Sequence, residues 1–212
     1  MNLVSYLKDI YGYDTPIFLK DIRIGGKSKT AIKEAFSRMV KKGELNRDGS
    51  GVYSLVNKTN ELLGAVTFEK IVEKKFLYNN PQILENLDIC RIGYYSGMTF
   101  LNMIGISEQV PAVLEITTNN TSSKKRMYRC LGREAIIRKG RIEISLFNWK
   151  ELQFFDMFYF LSLDEVKKNR DLIRKYIIDN KFSKEGLDKY LEYYSDETYK
   201  KIVEGGLLDA FS

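Results

Sequence analysis

The sequence predicts an α+β protein with a small N-terminal domain and a larger mixed α+β domain whose C-terminal part is helical. Apolar residues at helical spacing recur in both halves of the chain, and short β-branched runs lie between glycines. With 44% apolar and 13% aromatic residues, a chain of 212 residues can bury at least one core. We place the domain boundary at residue 58, so the predicted domains are 1–58 and 59–212.

Two short helices are predicted at the start of the chain. Apolar residues at helical spacing in NLVSYLKDI predict the first helix, which Gly12 ends. After Pro16, a second brief helix is predicted in IFLKDIRI, with Phe18, Leu19 and Ile22 on one side.

A third, longer helix is predicted in SKTAIKEAFSRMVKKGEL. Ser28 is a natural N-cap, and Gly43 is placed to end the helix in the left-handed conformation. The buried stripe consists of Ile32, Phe36, Met39 and Val40. The opposite face carries Thr30, Lys33, Ser37 and Lys41, with Lys27 and Lys29 at the N-terminal tip. A helix inserted into a DNA major groove would present such groups.

A β-hairpin is predicted directly after this helix, in ELNRDGSGVYSLV. Its turn is expected over residues 48–51, and Arg47 would make the tip basic. Three helices followed by a basic hairpin are typical of a winged helix-turn-helix, in which a helix reads base edges and the wing contacts phosphates. The residues predicted to contact DNA are Lys27, Ser28, Lys29, Thr30, Lys33, Ser37, Lys41, Arg47 and Ser50. The alternative is a winged helix that serves only protein contacts.

Positive charge is concentrated in the N-terminal domain. The net charge of the chain is +6, and residues 1–58 carry eleven Lys or Arg against six Asp or Glu. The remaining residues carry 23 against 22. This distribution favours an anionic polymer, nucleic acid first, as the partner of the N-terminal domain. A surface imbalance without any partner is the alternative.

The chain contains no histidine, and this excludes several classes of site. Zinc sites built from Cys and His cannot form, nor can nucleophiles that an imidazole activates. We therefore predict no metal, no cofactor and no catalytic residue. Cys90 and Cys130 are well separated in sequence and are expected to be buried, independent thiols.

No secretory signal or transmembrane segment is predicted. Lys8 and Asp9 interrupt the apolar residues at the N-terminus, and no run of eighteen apolar residues occurs in the sequence. We expect a soluble, cytoplasmic protein without a membrane partner.

The stretch GYYSGMTFLNMIGISEQVP, residues 93–111, has the composition of a site but is predicted mainly to build a core. A nucleophile elbow needs glycine two residues on each side of its serine, and Ser96 has Tyr94 and Met98 there. We expect Ser96 to start a short helix that stops at Gly105, followed by a strand in AVLEITT. The alternative is a contact surface formed by Tyr94, Tyr95 and Gln109.

The rest of the larger domain is predicted to contain a first helix, three strands and four C-terminal helices. The first helix lies in GAVTFEKIVEKKFLY, and the strands lie in RMYRCLG, EAIIRKG and RIEISLFN. The last helices lie in WKELQFFDMFYFLS, LDEVKKNRDLIRKYIID, SKEGLDKYLEYYS and DETYKKIVEGGLL, with Ser183 and Asp196 as N-caps. The aromatic residues expected in the core are Trp149, Phe154, Phe155, Phe158, Tyr159 and Phe160.

A second basic surface is one of two interpretations of SSKKRMYR. Lys124, Lys125, Arg126 and Arg129 lie around Tyr128 and could contact phosphates. The other interpretation is a solvated hairpin loop.

The chain resembles the antitoxins of AbiE abortive-infection, type IV toxin–antitoxin systems and related winged-helix transcriptional regulators. The resemblance lies in SKTAIKEAFSRMVKKGELNRDGSGVYSL and, more specifically, in GYYSGMTFLNMIGISEQVPAVLEITTN, and it covers about residues 17–140. It implies a DNA-binding autorepressor that recognises its own promoter. It also implies a larger domain that antagonises a nucleotidyltransferase-type toxin without forming a stable complex. The family carries no catalytic residues.

Two other functions stay open from the residues alone. One is a metal-dependent nuclease, for which Glu115 and Glu143 on predicted strands would supply carboxylates, although neither is followed two residues later by lysine. The other is an adaptor whose C-terminal helices bind a protein. The leading prediction is a sequence-specific DNA-binding repressor with an antitoxin role.

Overall fold

The computed structural model describes residues 3–57, 66–79 and 91–212, which divide into two compact units. Within that part of the chain, unit 1 comprises residues 3–57, 66–75 and 129–133, and unit 2 comprises 76–79, 91–128 and 134–212. The described residues form nine α-helices and two sheets, so the predicted α+β class is confirmed. Cys90 lies outside the described residues.

Unit 1 combines three helices with a small antiparallel sheet. Its elements are α1 (Leu3–Tyr11), β1 (Ile17–Phe18), a 3-10 turn (Leu19–Asp21), α2 (Lys29–Lys41), β2 (Leu45–Gly49), β3 (Val52–Leu55) and α3 (Phe68–Val72). The strand order is β1-β3-β2, and both pairings are antiparallel. A π-helical segment, Glu73–Leu77, continues α3. Helices α1 and α2 confirm the first and third predicted helices.

The second predicted helix is wrong. Ile17 pairs with Tyr53 and Phe18 pairs with Val52, so this stretch is a short strand followed only by the 3-10 turn. β-Branched and aromatic residues favour extended backbone, and β3 offers them a hydrogen-bonded partner. A helix of so few residues would not compensate for losing that pairing.

Helix α2 is fixed at both ends and along one face. The Ser28 hydroxyl accepts a hydrogen bond from the backbone N–H of Ala31 at 3.2 Å, as an N-cap does. Gly43 has φ +66° and donates to the carbonyl of Val40, which ends the helix in the predicted conformation. The buried face of α2 packs into the core of unit 1 with residues of α1, β1, β2 and β3. The side chains of the opposite face are thereby held in solvent.

The hairpin β2–β3 differs in detail from its prediction. A bulge interrupts the pairing between Arg47 and Gly49, and the chain reverses over Ser50 and Gly51, where Gly51 has φ +72°. The turn is therefore shorter than predicted and starts later. Arg47 lies within β2, opposite Tyr53, and not at the hairpin tip.

Unit 2 contains a mixed sheet and a helical C-terminal part. Its elements are β4 (Gly93–Tyr95), α4 (Gly97–Met103), β5 (Leu114–Thr118), β6 (Lys125–Cys130), β7 (Arg133–Lys139), α5 (Trp149–Met157), α6 (Leu163–Lys168), α7 (Arg170–Asp179), α8 (Lys184–Leu191), α9 (Asp196–Glu204) and a 3-10 turn (Leu208–Ala210). The strand order is β4-β5-β7-β6. Strand β4 is antiparallel to β5, and β5 is parallel to β7. Residues 129–133, which comprise the end of β6, the turn and the first residue of β7, group with unit 1.

The predicted strand in RIEISLFN is absent, because side chains occupy the places of strand partners there. The Asn119 side chain accepts a hydrogen bond from the Ile144 N–H at 2.9 Å and donates one to the Ile144 carbonyl at 2.7 Å. The Asn148 side chain accepts from Ser145 N–H at 2.7 Å. Asparagine side chains commonly satisfy local backbone groups in this way. Glu143 is exposed and outside any strand.

The helical part follows the prediction with three corrections. The second of the four predicted C-terminal helices, LDEVKKNRDLIRKYIID, is split into α6 and α7 at Asn169. The Asn169 side chain donates a hydrogen bond to the Glu165 carbonyl at 2.8 Å. Ser183 caps α8 as predicted, whereas Ser195 and not Asp196 is the N-cap of α9. Tyr159 is 72% exposed because α5 ends before it.

The core of unit 2 is aromatic, as the sequence predicts. Phe154, Phe155 and Phe158 are fully buried, and the Phe154 ring contacts the rings of Phe182 and Phe211. Such aromatic contacts add to the stabilisation from burial itself. No helix in the described part of the chain is long and apolar enough to cross a membrane.

Candidate nucleic-acid interface

Every residue that the sequence assigns to DNA contact has an exposed side chain in unit 1. These residues are Lys27, Ser28, Lys29, Thr30, Lys33, Ser37, Lys41, Arg47 and Ser50. Lys27 and Ser28 directly precede α2, five others lie on α2, and Arg47 and Ser50 belong to the hairpin. The structure therefore presents these side chains to solvent on two adjacent segments of the chain.

Four residues of α2 form one stripe along the helix, which we call the α2 stripe: Thr30, Lys33, Ser37 and Lys41. Successive residues of an α-helix turn by about 100° and rise about 1.5 Å. The four side chains therefore lie within about 80° of one another and extend over roughly 16 Å. Ile32, Phe36 and Met39 are buried on the other side of the helix. This geometry presents a single polar ridge, of the size that enters a major groove.

The lysines of this surface have no acidic partner among the described residues. In ranges 3–57, 66–79 and 91–212, no carboxylate oxygen lies within 4.0 Å of the ammonium of Lys29, Lys33 or Lys41. No close ion pair with a described residue therefore offsets their positive charge. Exposed cations of this kind bind phosphate by releasing its condensed counterions.

Sequence reasoning missed three exposed charges on the same helix. Arg38 lies in the last turn of α2, and Lys42 follows the helix as its C-cap. Glu34 lies four residues after Thr30 and is therefore next to the α2 stripe. A carboxylate there disfavours phosphate but can accept a hydrogen bond from the amino group of cytosine. The same helical spacing that predicted the α2 stripe would have found all three.

The hairpin is anchored at its bulge by contacts within unit 1. The Cys130 thiol is buried, as predicted, and donates to the Asp48 carbonyl at 3.1 Å. A Cβ atom on Gly49 would lie 2.8 Å from the Cys130 sulfur, so only glycine allows this approach. Burial raises the pKa of the Asp48 carboxyl, although a hydrogen bond with Ser54 opposes the shift. These contacts fix the strand on which Arg47 lies.

The four cations of SSKKRMYR do not form one surface. Side chains alternate along β6, so Lys125 and Arg129 are exposed on one face and Arg126 lies on the other. The Arg126 guanidinium lies over the Phe76 ring and donates to Thr121. Lys124 precedes the strand and lines a separate cavity. Neither predicted interpretation, a single basic surface or a solvated loop, describes them.

Residues 93–111 mainly build a core in unit 2, as predicted. Tyr94 is buried, and its hydroxyl donates to the Asp156 carboxylate at 2.8 Å. Ser96 is the buried N-cap residue of α4 and accepts a hydrogen bond from Thr117 at 3.0 Å. Burial raises the pKa of the Tyr94 hydroxyl well above its usual value. Gln109 is exposed.

The two glutamates considered for a nuclease have different surroundings. Glu115 is buried on β5, where it accepts a hydrogen bond from Met98 N–H and one from Arg138 at 2.9 Å. Glu143 is exposed and is not on a strand, contrary to the prediction. No group of three His, Cys, Asp or Glu residues suited to a metal ion occurs among the residues that the structure describes.

A comparison with protein-family models finds no match to the chain, and a comparison with curated proteins finds none either.

Proposed function

We propose that the chain is a sequence-specific repressor that binds duplex DNA at its own promoter. The observation that carries the proposal is the α2 stripe with its neighbouring Lys29, an exposed basic surface without acidic partners among the described residues. The stripe lies on a helix that is capped at its start and packed along its other face. Binding would therefore require little reordering of the backbone.

The order of elements in unit 1 supports a winged helix-turn-helix. Helix α1, strand β1, helix α2 and the hairpin β2–β3 follow one another, and β1 completes a three-stranded sheet. The 3-10 turn Leu19–Asp21 stands where the short second helix of such a domain is expected. In the proposal, α2 is the recognition helix and the hairpin is the wing.

The contacts divide into two kinds. Thr30, Lys33 and Ser37 face base edges in the major groove, where hydroxyl and ammonium groups donate to purine acceptors. Lys29, Lys41 and the hairpin residues Arg47 and Ser50 contact phosphates, which positions the protein but carries no sequence information.

An antitoxin role is the second part of the proposal and rests on the resemblance to AbiE antitoxins. The motif at residues 93–119 lies in unit 2, where it supplies β4, α4 and β5. In this proposal the chain is not an enzyme. Unit 2 antagonises a nucleotidyltransferase-type toxin without a stable complex, while unit 1 controls expression.

Fluorescence anisotropy tests DNA recognition. The purified chain is titrated into the duplex upstream of its own reading frame and into a scrambled duplex of equal length. We expect the wild type to bind the upstream duplex more tightly than the scrambled one. The affinity of K29A/K33A for the upstream duplex should be lower by much more than about tenfold, because this variant loses a phosphate-binding and a base-reading side chain together. The matched control is K175A/K200A, two exposed lysines of α7 and α9. Equal affinity for both duplexes, or unchanged affinity in K29A/K33A, would contradict the proposal.

Co-expression tests the antitoxin role. A nucleotidyltransferase-type toxin is expressed in bacteria with the wild-type chain or with K29A/K33A under an unrelated promoter. Growth should be restored in both cases, because the proposal assigns antagonism to unit 2. Failure of the wild-type chain to restore growth would contradict the antitoxin role and leave DNA recognition standing.

A further inference from the structure

Unit 2 contains a cavity of about 530 Å³ whose lining is rich in positive charge. Four of its nine lining residues are cations: Lys124, Arg138, Lys139 and Arg141. The volume falls within the range of small-molecule pockets, roughly 300–1,000 Å³. Concentrated cations in a concave surface indicate an anionic ligand.

The sheet of unit 2 brings these cations together from separate segments. Strands β5 and β7 run parallel, with Thr117 beside Arg138 and Thr118 beside Lys139. The Lys139 N–H donates to the Lys124 carbonyl at 3.2 Å, which places the residue preceding β6 beside the end of β7. Arg141 follows two residues after Lys139. The cluster is therefore built on strand ends, which are rigid positions for a site.

Two of the cations are held in place by carboxylates. The Arg138 guanidinium donates a hydrogen bond to the carboxylate of the buried Glu115 at 2.9 Å. The Arg141 guanidinium lies 3.5 Å from Asp156, whose other oxygen accepts a hydrogen bond from the Tyr94 hydroxyl at 2.8 Å. Paired guanidiniums of this kind are oriented and still have further N–H donors for a ligand.

The two lysines of the cavity are different. Lys124 and Lys139 are exposed, and within the described residues neither has a carboxylate oxygen within 4.0 Å. Within the part of the chain that the structure describes, no close ion pair offsets these two positive charges. Together the cluster combines two oriented guanidiniums with two exposed ammonium groups, which suits a group of several phosphate oxygens.

An exposed aromatic ring lies at the same cavity. Tyr159 lines it and is 72% exposed, although large aromatic side chains gain free energy from burial. Its ring meets that of Phe160 edge-on at 5.3 Å, and the Arg138 guanidinium lies 5.5 Å from the Phe160 ring. An exposed aromatic face beside cations is the arrangement on which nucleobases stack.

We infer that this cavity binds a nucleotide, with its phosphates on Lys124, Arg138, Lys139 and Arg141 and its base against Tyr159. The ligand is either a free nucleoside phosphate or the terminal nucleotide of a single strand, since both present the same chemistry. This site uses none of the residues of the α2 stripe, and the inference goes beyond duplex recognition.

Isothermal titration calorimetry of the full chain tests the inference with three probes: inorganic pyrophosphate, ATP and a 5′-phosphorylated single-stranded hexanucleotide. We expect ATP or the hexanucleotide to bind more tightly than pyrophosphate, and their relative affinity identifies the source. K124A/K139A should weaken binding at least tenfold. Tyr159→Ala should weaken ATP or hexanucleotide binding and leave pyrophosphate unchanged.

The controls separate loss of the site from loss of the fold. K124R/K139R keeps both charges and should retain affinity, and K175A/K200A removes two charges elsewhere. Circular dichroism checks that each variant is folded. The inference is overturned if no probe binds at millimolar concentration, or if K124A/K139A binds as tightly as the wild type. Equal affinity for ATP and pyrophosphate together with no effect of Tyr159→Ala would overturn the assignment to a nucleotide.

Discussion

The α2 stripe of unit 1 and the cationic cavity of unit 2 hold similar charges in different surroundings. The lysines of α2 project from a convex helix face without acidic partners among the described residues. In the cavity, Arg138 and Arg141 are oriented by Glu115 and Asp156. A convex, unpaired surface suits a long polyanion, whereas an oriented concave cluster suits a small one.

The difference shows why net charge alone does not locate a binding site. Residues 59–212 are nearly balanced, with 23 cations against 22 anions, and yet they contain the cavity. An arginine paired with a buried carboxylate adds nothing to the net charge, but it still presents donors to a ligand. The net charge of each domain therefore indicates the α2 stripe but does not indicate the cavity of unit 2.

The largest effect is expected from charge reversal, which should separate the two surfaces. K33E/K41E should weaken duplex binding at least about 100-fold, because it removes a base contact at Lys33 and a phosphate contact at Lys41 and places two negative charges against the polyanion. It should leave ATP binding unchanged, and K124E/K139E should do the opposite. Anisotropy and calorimetry on both variants measure this. The two surfaces are not independent if K124E/K139E weakens duplex binding as strongly as K33E/K41E does.

A stability test probes the claim that Glu115 orients the Arg138 side chain in the cavity. Gly97 has φ +56°, and a Cβ atom there would lie 2.5 Å from the Glu115 carboxylate that holds Arg138. Gly97→Ala should lower the free energy of unfolding by about 2 kcal/mol, through backbone strain and displacement of Glu115. Gly105→Ala is the control, since Gly105 has φ +77° but no neighbour within 4 Å. If urea denaturation shows the same loss of unfolding free energy for Gly97→Ala and Gly105→Ala, the contact between position 97 and Glu115 is not tight.

The cap of α2 is expected to have a smaller effect. Ser28→Ala removes the acceptor for Ala31 N–H and should lower the free energy of unfolding by about 1 kcal/mol. Ser28→Gly should lower the free energy of unfolding by only roughly a few tenths of a kcal/mol, because glycine is also tolerated at the N-cap. Urea denaturation of both variants measures this order. A loss in Ser28→Gly as large as in Ser28→Ala would argue against the cap.

The smallest effect is a dependence on pH at Asp156. Burial raises the pKa of its carboxyl above the unfolded value, while its bonds to Tyr94, Arg141 and Tyr194 oppose the shift. An acid with a raised folded pKa adds stability below its unfolded pKa of about 3.8, and this stability is lost as the pH rises through the folded pKa. The wild type should therefore gain stability relative to Asp156→Asn as the pH falls from 8 to about 4. A constant difference in unfolding free energy would contradict the raised pKa.

Local patterns were sufficient to predict α2 and its exposed face. The cap Ser28, the buried Ile32 and Phe36 and the terminal Gly43 all act within a few residues of one another, so the sequence contains the complete signal. The second predicted helix failed because Ile17 and Phe18 pair with β3, a contact that local spacing does not reveal.

The cavity could not be predicted in the same way. Lys124 precedes β6, whereas Arg138, Lys139 and Arg141 lie on or just after β7, and only the folded sheet places Lys124 beside Lys139. Of these cations, Lys124 alone was singled out from the sequence. The strand predicted in RIEISLFN failed for a related reason, since Asn119 bonds Ile144 across 25 residues. Side-chain hydrogen bonds at such separations leave no periodic signal.

The most direct test of the central claim is the salt dependence of duplex binding in the wild type and in K29A/K33A/K41A. The logarithm of the binding constant is plotted against the logarithm of the salt concentration for the upstream duplex. If Lys29 and Lys41 neutralise phosphates, the slope of the variant should be shallower by roughly two, about 0.9 for each phosphate that is no longer neutralised. An unchanged slope would contradict the assignment of the α2 surface to DNA.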